Sequence, residues 1–576
     1  MGKRSIVSVV CLGMALSVVS SAQSATKKPP VADTPASGRA IPQHTEPTKD
    51  DLLRGPYGPF RANNDLLFYH LNIRVDPEAK TIGGTNLVRF RMLQDGKRIQ
   101  LDLTPQLAVD SIKLNGQTLQ YTREERTVWV DFPHTLRKGR VYEVVFAYSG
   151  KPIEQGRFGC FTFNKDAAGK PWVTTACEEE GASVWWPNKD QWRDEPQEGM
   201  EISVAVPNGL MDVSNGRFEG KHDLGDGYTR WDWRVHYGIN NYDVALNIGD
   251  YQHFSGKHGL TTLDYYVLPQ DLEKAKVQFQ QVPGMLDAYE HYFGEYPFDK
   301  DGYKLIDVPY AGMEHQSAVA YGNKFANGYF VSKDWTGVGI SPRFDFIIIH
   351  ESGHEWFGNA VTAADRSDMW IHEGWTTYLE MLYVEYRWGR ADSLLYGTGV
   401  AKHVRNQRPI VGERGTNLEP PQDMYFKGAL MLNTLRSVID DDAKWFADIH
   451  DFFQHFKYQQ IMTEDVVAWW NQRTGMNLTP FFNEYLRHAE LPVLELKFDA
   501  AKGTVDYRWK AAEVGFAMPI KVGDPQHWTL IHPVSVDWKT MPWTGKQEDF
   551  KVASDLYFTA ISESPALVAP HAEEKK

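Results

Sequence analysis

The chain has 576 residues, of which 42% are hydrophobic and 24% charged, which is the composition of an ordinary globular protein. At about 150 residues per domain, this length predicts three or four domains. The formal net charge is −14 and the sequence contains no basic stripe, which argues against a nucleic-acid partner.

The N-terminus has the pattern of a secretory signal peptide. Lys3 and Arg4 precede the apolar run Ser5–Val19, and small residues follow up to Ser24. The run is 15 residues long, short of the ~20 that a transmembrane helix needs. We therefore predict that residues 1–24 are removed and that the protein is exported, to the periplasm or the medium. No other stretch is apolar enough for a membrane span in the mature chain.

The periodicity of apolar residues then divides the chain. Residues 25–60 are rich in Pro, Thr and Lys and predict a flexible leader. Residues 61–255 alternate with period two, as in Tyr69, Leu71 and Ile73, and predict an antiparallel β domain.

From residue 256 to 490 the period changes toward 3.6, which predicts a mostly helical domain. Thr479 and Pro480 predict a helix start with Thr479 as the N-cap. Residues 491–576 return to strands, so the fold class is multidomain α+β. The predicted helices cover approximately 271–293, 346–359, 373–388, 428–438, 443–456 and 464–474.

Two cysteines, Cys160 and Cys177, remain after signal-peptide cleavage, too few for a disulfide scaffold or a four-cysteine zinc site. They flank a predicted turn at Asp166–Gly169, and a hairpin centred there would place them opposite each other. An oxidising compartment would permit a disulfide, although cross-strand geometry is often poor for one. The sequence leaves both the bonded and the free state open.

The strongest chemical signal is the H-E-x-x-H pattern at His350, Glu351 and His354, which follows the apolar run Phe346–Ile349. Residues i and i+4 share one helical face, so both imidazoles can reach one metal ion. Glu351 is placed to deprotonate a water activated by that metal.

Zinc hydrolases use three protein ligands and leave a fourth position open. Eighteen residues separate His354 from Glu373, enough to end one helix and begin another that faces it. His372 is a rival, but on a helix it would point elsewhere. We predict one Zn²⁺ per chain, held by His350, His354 and Glu373.

These motifs resemble those of the gluzincin aminopeptidases, the family of aminopeptidase N and leukotriene hydrolase. The resemblance extends over about residues 61–490 and, more weakly, into the last β region. It rests on the segments His350–Asn359, Trp370–Glu380, Ala311–His315, Thr175–Gly181 and Tyr425–Ala429.

The resemblance implies a thermolysin-like zinc domain followed by a small β-sandwich, and an enzyme that removes N-terminal residues from peptides with a free amine. It implies that Glu351 is the general base and that Tyr425 stabilises the oxyanion. It also implies that substrate is bound by residues from two segments, with the carboxylates on the α-ammonium group: Glu314, Glu178, Gly312 and Met313.

The sequence departs from the family pattern at Ala311, His315 and Ala176. These positions concern substrate contacts rather than metal ligands, so the preferred N-terminal residue stays open. The long helical C-terminal domain of many relatives is absent from the sequence, and the oligomeric state is not indicated.

Three alternatives remain. A zinc endopeptidase would share the metal motif but would have no ammonium to anchor on Glu314 and Glu178. An epoxide hydrolase exists within the same family, and nothing in this sequence favours that reaction. A non-catalytic peptide-binding relative would not need Glu351 and Tyr425, which are both present.

Overall fold

The computed structural model describes residues 46–156, 158–330 and 332–564. The predicted signal peptide and the leader up to residue 45 lie outside this range. Among the described residues, no helix combines the length and apolar character needed to cross a membrane.

The end of the predicted flexible leader is instead ordered, which corrects that prediction. It forms the short helices α1 (Lys49–Arg54) and α2 (Pro59–Ala62). Thr48 caps α1, and the buried side chain of Arg54 pairs with Asp190 at 3.0 Å. This buried ion pair holds the segment to the folded part, which the Pro-rich composition did not reveal.

Alternating strands build the N-terminal region, as the period-two pattern predicted. They form an eight-stranded sheet (β13-β14-β11-β1-β2-β8-β4-β5), a four-stranded sheet (β12-β15-β10-β9) and a three-stranded sheet (β3-β7-β6). The strands are β1 (Asn64–Asp76), β2 (Thr81–Met92), β3 (Gly96–Asp102), β4 (Leu107–Leu114), β5 (Gln117–Thr118), β6 (Gln120–Glu124), β7 (Thr127–Leu136), β8 (Val141–Gly150), β9 (Cys160–Lys165), β10 (Pro171–Ala176), β11 (Met200–Pro207), β12 (Met211–Val213), β13 (Arg217–Asp223), β14 (Tyr228–Val235) and β15 (Asn247–Gly249).

The prediction of a purely antiparallel domain is wrong at one pair. Strands β1 and β11 run parallel, with Tyr69 opposite Met200 and Ile73 opposite Val204. Alternation reports which face of a strand is buried but not the direction of its neighbour, so the sequence could not show this.

The predicted hairpin between the two cysteines exists, since β9 pairs antiparallel with β10 across the turn at Asp166–Gly169. However, the residue opposite Cys160 is Ala176 rather than Cys177. Both thiols are free and buried, and the Cys177 thiol lies 3.4 Å from the carbonyl oxygen of Cys160. The offset of one residue takes the two cysteines out of direct cross-strand register.

The central region combines a five-stranded sheet (β16-β17-β18-β20-β19) with a helical layer and the small pair β21-β22. Its strands are β16 (Gln252–His258), β17 (Thr261–Val267), β18 (Tyr303–Asp307), β19 (Gly312–Met313), β20 (Val319–Tyr321), β21 (Val361–Ala363) and β22 (Gln459–Ile461). Its helices are α3 (Leu272–Gln278), α4 (Gln281–Phe293), α5 (Phe346–Gly353), α6 (Trp370–Trp388), α7 (Arg390–Ala401), α8 (Asp423–Ile439), α9 (Asp442–Phe456), α10 (Thr463–Thr474) and α11 (Thr479–Arg487).

Three details of these helices differ from the prediction. Helix α5 ends at Gly353 and not near residue 359. Thr479 is the first residue of α11, whose N-cap is Leu478. Helix α7 was not predicted, because Gly397 and Gly399 lower its helix propensity. Close packing explains both glycines. An added Cβ would lie 2.8 Å from Met381 at Gly397 and 2.5 Å from Thr336 at Gly399.

The residues after 491 form two sheets, β27-β24-β23-β29 and β26-β25-β28, in agreement with the predicted C-terminal β region. The strands are β23 (Val493–Asp499), β24 (Thr504–Lys510), β25 (Ile520–Asp524), β26 (His527–Ile531), β27 (Lys539–Pro542), β28 (Lys551–Val552) and β29 (Ala560–Ser564).

Helices α5, α6 and α8 meet in the buried core of the central region. Asp345 caps α5 by accepting hydrogen bonds from the backbone of Ile347 and Ile348. Helices α6 and α8 cross closely at Gly374 and Gly428, where an added Cβ on Gly428 would lie 3.0 Å from the Cα of Gly374. This glycine contact lets two helices bring their polar side chains to one point.

Candidate metal centre

Three side chains predicted as metal ligands converge, and all three are buried. His350 lies in α5, and His354 directly follows α5 with helical backbone angles, which keeps the i, i+4 relation. Glu373 comes from the first turn of α6. The His350 and His354 Nε2 atoms are 3.3 Å apart, and Oε2 of Glu373 lies 3.4 Å from the first and 3.3 Å from the second.

This nearly equilateral triangle fits zinc. Tetrahedral coordination with bonds of about 2.0–2.1 Å places ligand atoms about 3.3–3.4 Å from one another. Oε2 of Glu373 is buried without a hydrogen-bond partner, as expected of an oxygen reserved for an ion. Burial favours the protonated acid, yet His354 and His350 hold the pKa of Glu373 below its usual range.

The other ring nitrogen of His350 is fixed by a second carboxylate. Nδ1 of His350 lies 2.6 Å from Oε1 of Glu380, and the Tyr396 hydroxyl donates to Oε2 of Glu380 at 2.6 Å. With a proton on Nδ1, Nε2 presents its lone pair to the metal position. Glu380 lies seven residues after Glu373, two turns along the same helix.

His354 is oriented by a different pair of groups. Its Nδ1 lies 3.0 Å from the carbonyl oxygen of Phe357 and 3.2 Å from the hydroxyl of Thr376. A proton on Nδ1 donated to that carbonyl leaves Nε2 free to ligate. Both histidines are therefore held in the tautomer that metal binding requires.

His372, the rival ligand, lies outside this triad. Its Nε2 accepts a hydrogen bond from the backbone of Ala363 at 2.8 Å, and its ring stacks on Trp192. Burial lowers the pKa of His372 to about 3, which keeps the ring neutral.

Glu351 lies beside the triad with its side chain buried. Carboxylate oxygens of Glu351 and Glu314 and a ring nitrogen of His354 all lie within 4.8 Å of one another. Gly312 makes room for Glu351, because an added Cβ at Gly312 would lie 2.9 Å from its Oε1. Met313 follows on the same short strand and is buried in the core.

Glu178 and Glu314 come from different regions of the chain and meet at the metal position. One carboxylate oxygen of each lies within 4.8 Å of one of Glu373. The Tyr242 hydroxyl donates to Oε1 of Glu314 at 3.1 Å, whereas Oε1 of Glu178 is buried with no partner. Burial, reinforced by the charge of Glu314, raises the pKa of Glu178 well above its usual value.

Tyr425 belongs to the first turn of α8, and its ring stacks on His350 with 6.0 Å between ring centroids. Two residues further along α8, the Lys427 ammonium donates to the carbonyls of His488 and Ala489 at 2.9 Å each. Lys427 thus ties α8 to the end of α11 and is structural.

Sequence reasoning identified the ligands and the carboxylates but missed the groups that orient them, namely Glu380, Tyr396, Thr376 and Tyr242. For Glu380 a signal existed, since a residue seven positions after a ligand on a helix shares its face. Thr376, three residues after Glu373 on the same helix, carried a similar signal. For Tyr396 and Tyr242, the contacts depend on tertiary packing and had no local signal.

Comparison with known families settles the relationship. Residues 277–485 match the Peptidase family M1 domain, and residues 66–239 match the Peptidase M1 N-terminal domain. The chain belongs to the M1 peptidase family. Its triad of His350, His354 and Glu373 agrees with the zinc site of an M1 zinc metallopeptidase.

Individual relatives are distant. The chain is 22% identical to endoplasmic reticulum aminopeptidase 1 of Rattus norvegicus over 491 residues, which is 81% of this chain and 50% of that protein. It is 24% identical to human aminopeptidase B, with 75% of this chain and 69% of the relative covered. The chain spans about half the length of several curated relatives that it matches.

Among solved structures, the fold is similar to the M1 zinc metallopeptidase of Deinococcus radiodurans. The TM-score is 0.62 at 21% identity, covering 75% of this chain and 95% of the other. A variant of that protein bound to a Tyr-Ser-Ala substrate gives a TM-score of 0.62. At this sequence identity, the similarity to these structures shows a shared fold.

Removing the carboxylate that orients His350 should weaken metal binding. We expect Glu380→Gln to lower zinc affinity by about 10–100-fold, because the amide holds Nδ1–H of the imidazole less strongly. Competition with a chromogenic chelator measures this affinity. Tyr396→Phe, which removes only the hydrogen bond to the far oxygen of Glu380, should have a smaller effect. Equal zinc affinities in Glu380→Gln and the unmodified protein would contradict the role of Glu380.

Proposed function

We propose that this protein is a zinc-dependent aminopeptidase that hydrolyses the first peptide bond of peptides with a free N-terminus. The observation that carries this proposal is the approach of Glu178 and Glu314 to the ligand Glu373. Two carboxylates next to a metal site form a receptor for an ammonium group, at a distance that admits only the N-terminal residue.

Such a receptor satisfies the groups that the fold leaves unpaired. Two neighbouring carboxylates of like charge, Glu314 buried and Glu178 half-buried, disfavour each other's ionisation, and an ammonium between them removes that cost. Oε1 of Glu178 has no donor among the described residues, and the substrate amine would supply one. Tyr242 fixes the orientation of Glu314 before substrate arrives.

The remaining residues take roles in the hydrolysis itself. Zinc, when bound by the triad, would supply a Lewis acid that polarises the scissile carbonyl and acidifies a water molecule. Glu351 would take the proton of that water and deliver it to the leaving amine. Tyr425 would donate a hydrogen bond to the oxyanion, a contact worth about 3–4 kcal/mol. Gly312 and Met313 would bind the substrate alongside Glu314.

The alternatives receive less support. An endopeptidase would bury Glu178 and Glu314 against a neutral chain with no charge to pair them. No feature of the described residues favours an epoxide over a peptide. Glu351 is only 5% exposed and lies close to the ligand His354 and to Glu314. A non-catalytic relative would have no need for a buried carboxyl group at this position.

Metal removal tests the proposal directly. Dialysis against a chelator should abolish release of chromophore from aminoacyl substrates, and stoichiometric Zn²⁺ should restore it. Mg²⁺ at the same concentration serves as the control, because the imidazole ligands do not suit that ion. Activity that persists in the chelated protein, with zinc absent by elemental analysis, would refute the proposal.

We also propose that the protein acts outside the cytoplasm. Support comes from the basic residues, apolar run and small residues within positions 1–24. The mature N-terminus, determined by mass spectrometry of protein from the native host, should lie after residue 24. A cytoplasmic protein that retains residues 1–24 would contradict export.

A further inference from the structure

A second pocket lies where the N-terminal β region meets the helical region. It has a volume of about 400 Å³, within the ~300–1,000 Å³ range of small-molecule sites. Its wall combines the loop around Arg193 and Glu195 with Tyr57, Gly238 and Asn359.

Two ionic groups on this wall lack an ionic partner. Oε1 of Glu195 has no partner at hydrogen-bond distance, and the residue is only 7% exposed. Burial raises the pKa of this carboxyl to about 8, although the polar side chains of Thr362, Gln460 and Asn240 near it act in the other direction. The Arg193 guanidinium forms no ion pair with a described carboxylate. It lies 5.4 Å from the centre of the Tyr57 ring and 3.1 Å from the sulfur of Met462.

The other acids on the wall are already satisfied. Asp194 pairs with the Lys189 ammonium and accepts from the backbone of Leu66. Asp65 accepts from Gln197 at 3.2 Å and from Arg91 at 3.3 Å. Within the described chain, the ionisable groups of the pocket without an ionic partner are therefore the Glu195 carboxyl and the Arg193 guanidinium.

A third group adds an unpaired acceptor. Asn359 is 3% exposed, and its Oδ1 has no hydrogen-bond partner. The wall thus offers two buried hydrogen-bond acceptors, on Glu195 and Asn359, and one cationic group with several N–H donors, the Arg193 guanidinium. A ligand ammonium group would suit the two acceptors, and a ligand carboxylate would suit bidentate hydrogen bonding by the guanidinium.

We propose that this pocket is a second binding site, specific for a free α-amino acid. The ammonium group would donate to Glu195 and Asn359, and the carboxylate would accept a bidentate pair from Arg193. The side chain would lie between the rings of Tyr57 and Tyr458, which both line the pocket. One zwitterion pairs with both groups, because its ammonium stabilises the ionised form of Glu195 and its carboxylate pairs with Arg193, which a simple anion or cation cannot do.

The site adjoins the substrate-binding strand through Asn359. Nδ2 of Asn359 donates to the backbone oxygen of Glu314 at 2.8 Å. The backbone N–H of Asn359 donates to the backbone oxygen of His354 at 2.9 Å. Gly238, which also lines the pocket, accepts a hydrogen bond from Gln316 at 2.9 Å. A ligand on Asn359 is therefore one side chain away from Glu314. Free amino acids are products of the proposed function, and this link and the leucine expected at the metal site below rest on that function.

Equilibrium dialysis with radiolabelled L-leucine tests the proposal on the zinc-loaded protein. Two molecules should bind per chain, one at the metal site and one here. Glu195→Gln and Arg193→Gln should each raise the Kd of one site at least ten-fold and leave the other unchanged. Glu314→Gln should instead remove binding at the metal site. Zinc content and thermal melting verify that each variant is folded.

The outcomes separate the two proposals. Unchanged binding in both Glu195→Gln and Arg193→Gln would overturn the second site, whereas unchanged binding in Glu314→Gln would count against the ammonium site of the proposed function. Butylamine carries only the ammonium and isovalerate only the carboxylate. Either one competing for the second site as well as leucine does would overturn recognition of a zwitterion.

Discussion

Glu351→Gln should lose turnover while keeping its zinc. The substitution preserves the size of the side chain but removes the base, which is typically worth about 10²–10⁴-fold in rate. Since Glu351 supplies none of the three ligand atoms, zinc stoichiometry should remain at one per chain. Elemental analysis and kcat on an aminoacyl substrate, measured on the same preparation, give both quantities.

Two results would contradict this role. Activity within a few-fold of the unmodified protein would show that another group accepts the proton. Loss of zinc from Glu351→Gln would show that the carboxylate supports the metal. Substrate KM should change little, because the proposed binding of the amine depends on Glu314 and Glu178.

Glu373→Ala should lose the metal itself. Two imidazoles with Nε2 atoms 3.3 Å apart remain, and the carboxylate oxygen that completes the triangle is gone. Lewis-acid stabilisation worth several kcal/mol is then lost, which corresponds to a rate decrease of at least about 10³-fold. Zinc content after dialysis should be well below one per chain.

Stability provides an independent measurement for the same variant. A metal that binds only the folded state raises the melting temperature. Added zinc should therefore raise the melting temperature of the chelated unmodified protein and not that of Glu373→Ala. Retention of stoichiometric zinc by Glu373→Ala after dialysis would refute its assignment as a ligand.

The metal centre could be predicted from sequence because its geometry is mostly local. His350 and His354 are one helical turn apart, and the distance to Glu373 matches a second helix facing the first. The convergence of Glu178 on Glu314 is different, since it depends on how the β region packs against the helical region. Only the family resemblance indicated that contact.

The other features that the sequence could not show also depend on contacts between distant parts of the chain. The parallel pairing of β1 with β11 joins residues more than a hundred positions apart, and alternation carries no direction. Helix α7 contains glycines that pack against Met381 and Thr336, so local propensity argued against a helix that tertiary contacts stabilise. The pocket behind Asn359 likewise exists only once both regions are folded.

The proposed function depends most on the ammonium receptor that Glu178 and Glu314 would form. The direct measurement is the rate of N-terminal cleavage of one peptide with a free amine and of the same peptide after N-acetylation, by the purified zinc-loaded protein. Acetylation removes the charge that pairs two buried carboxylates and adds bulk beside them. We predict that kcat/KM falls by about 10²–10⁴-fold and that mass spectrometry shows only single residues released from the free peptide. Comparable rates on the two peptides, or internal cleavage of the acetylated one, would contradict the account.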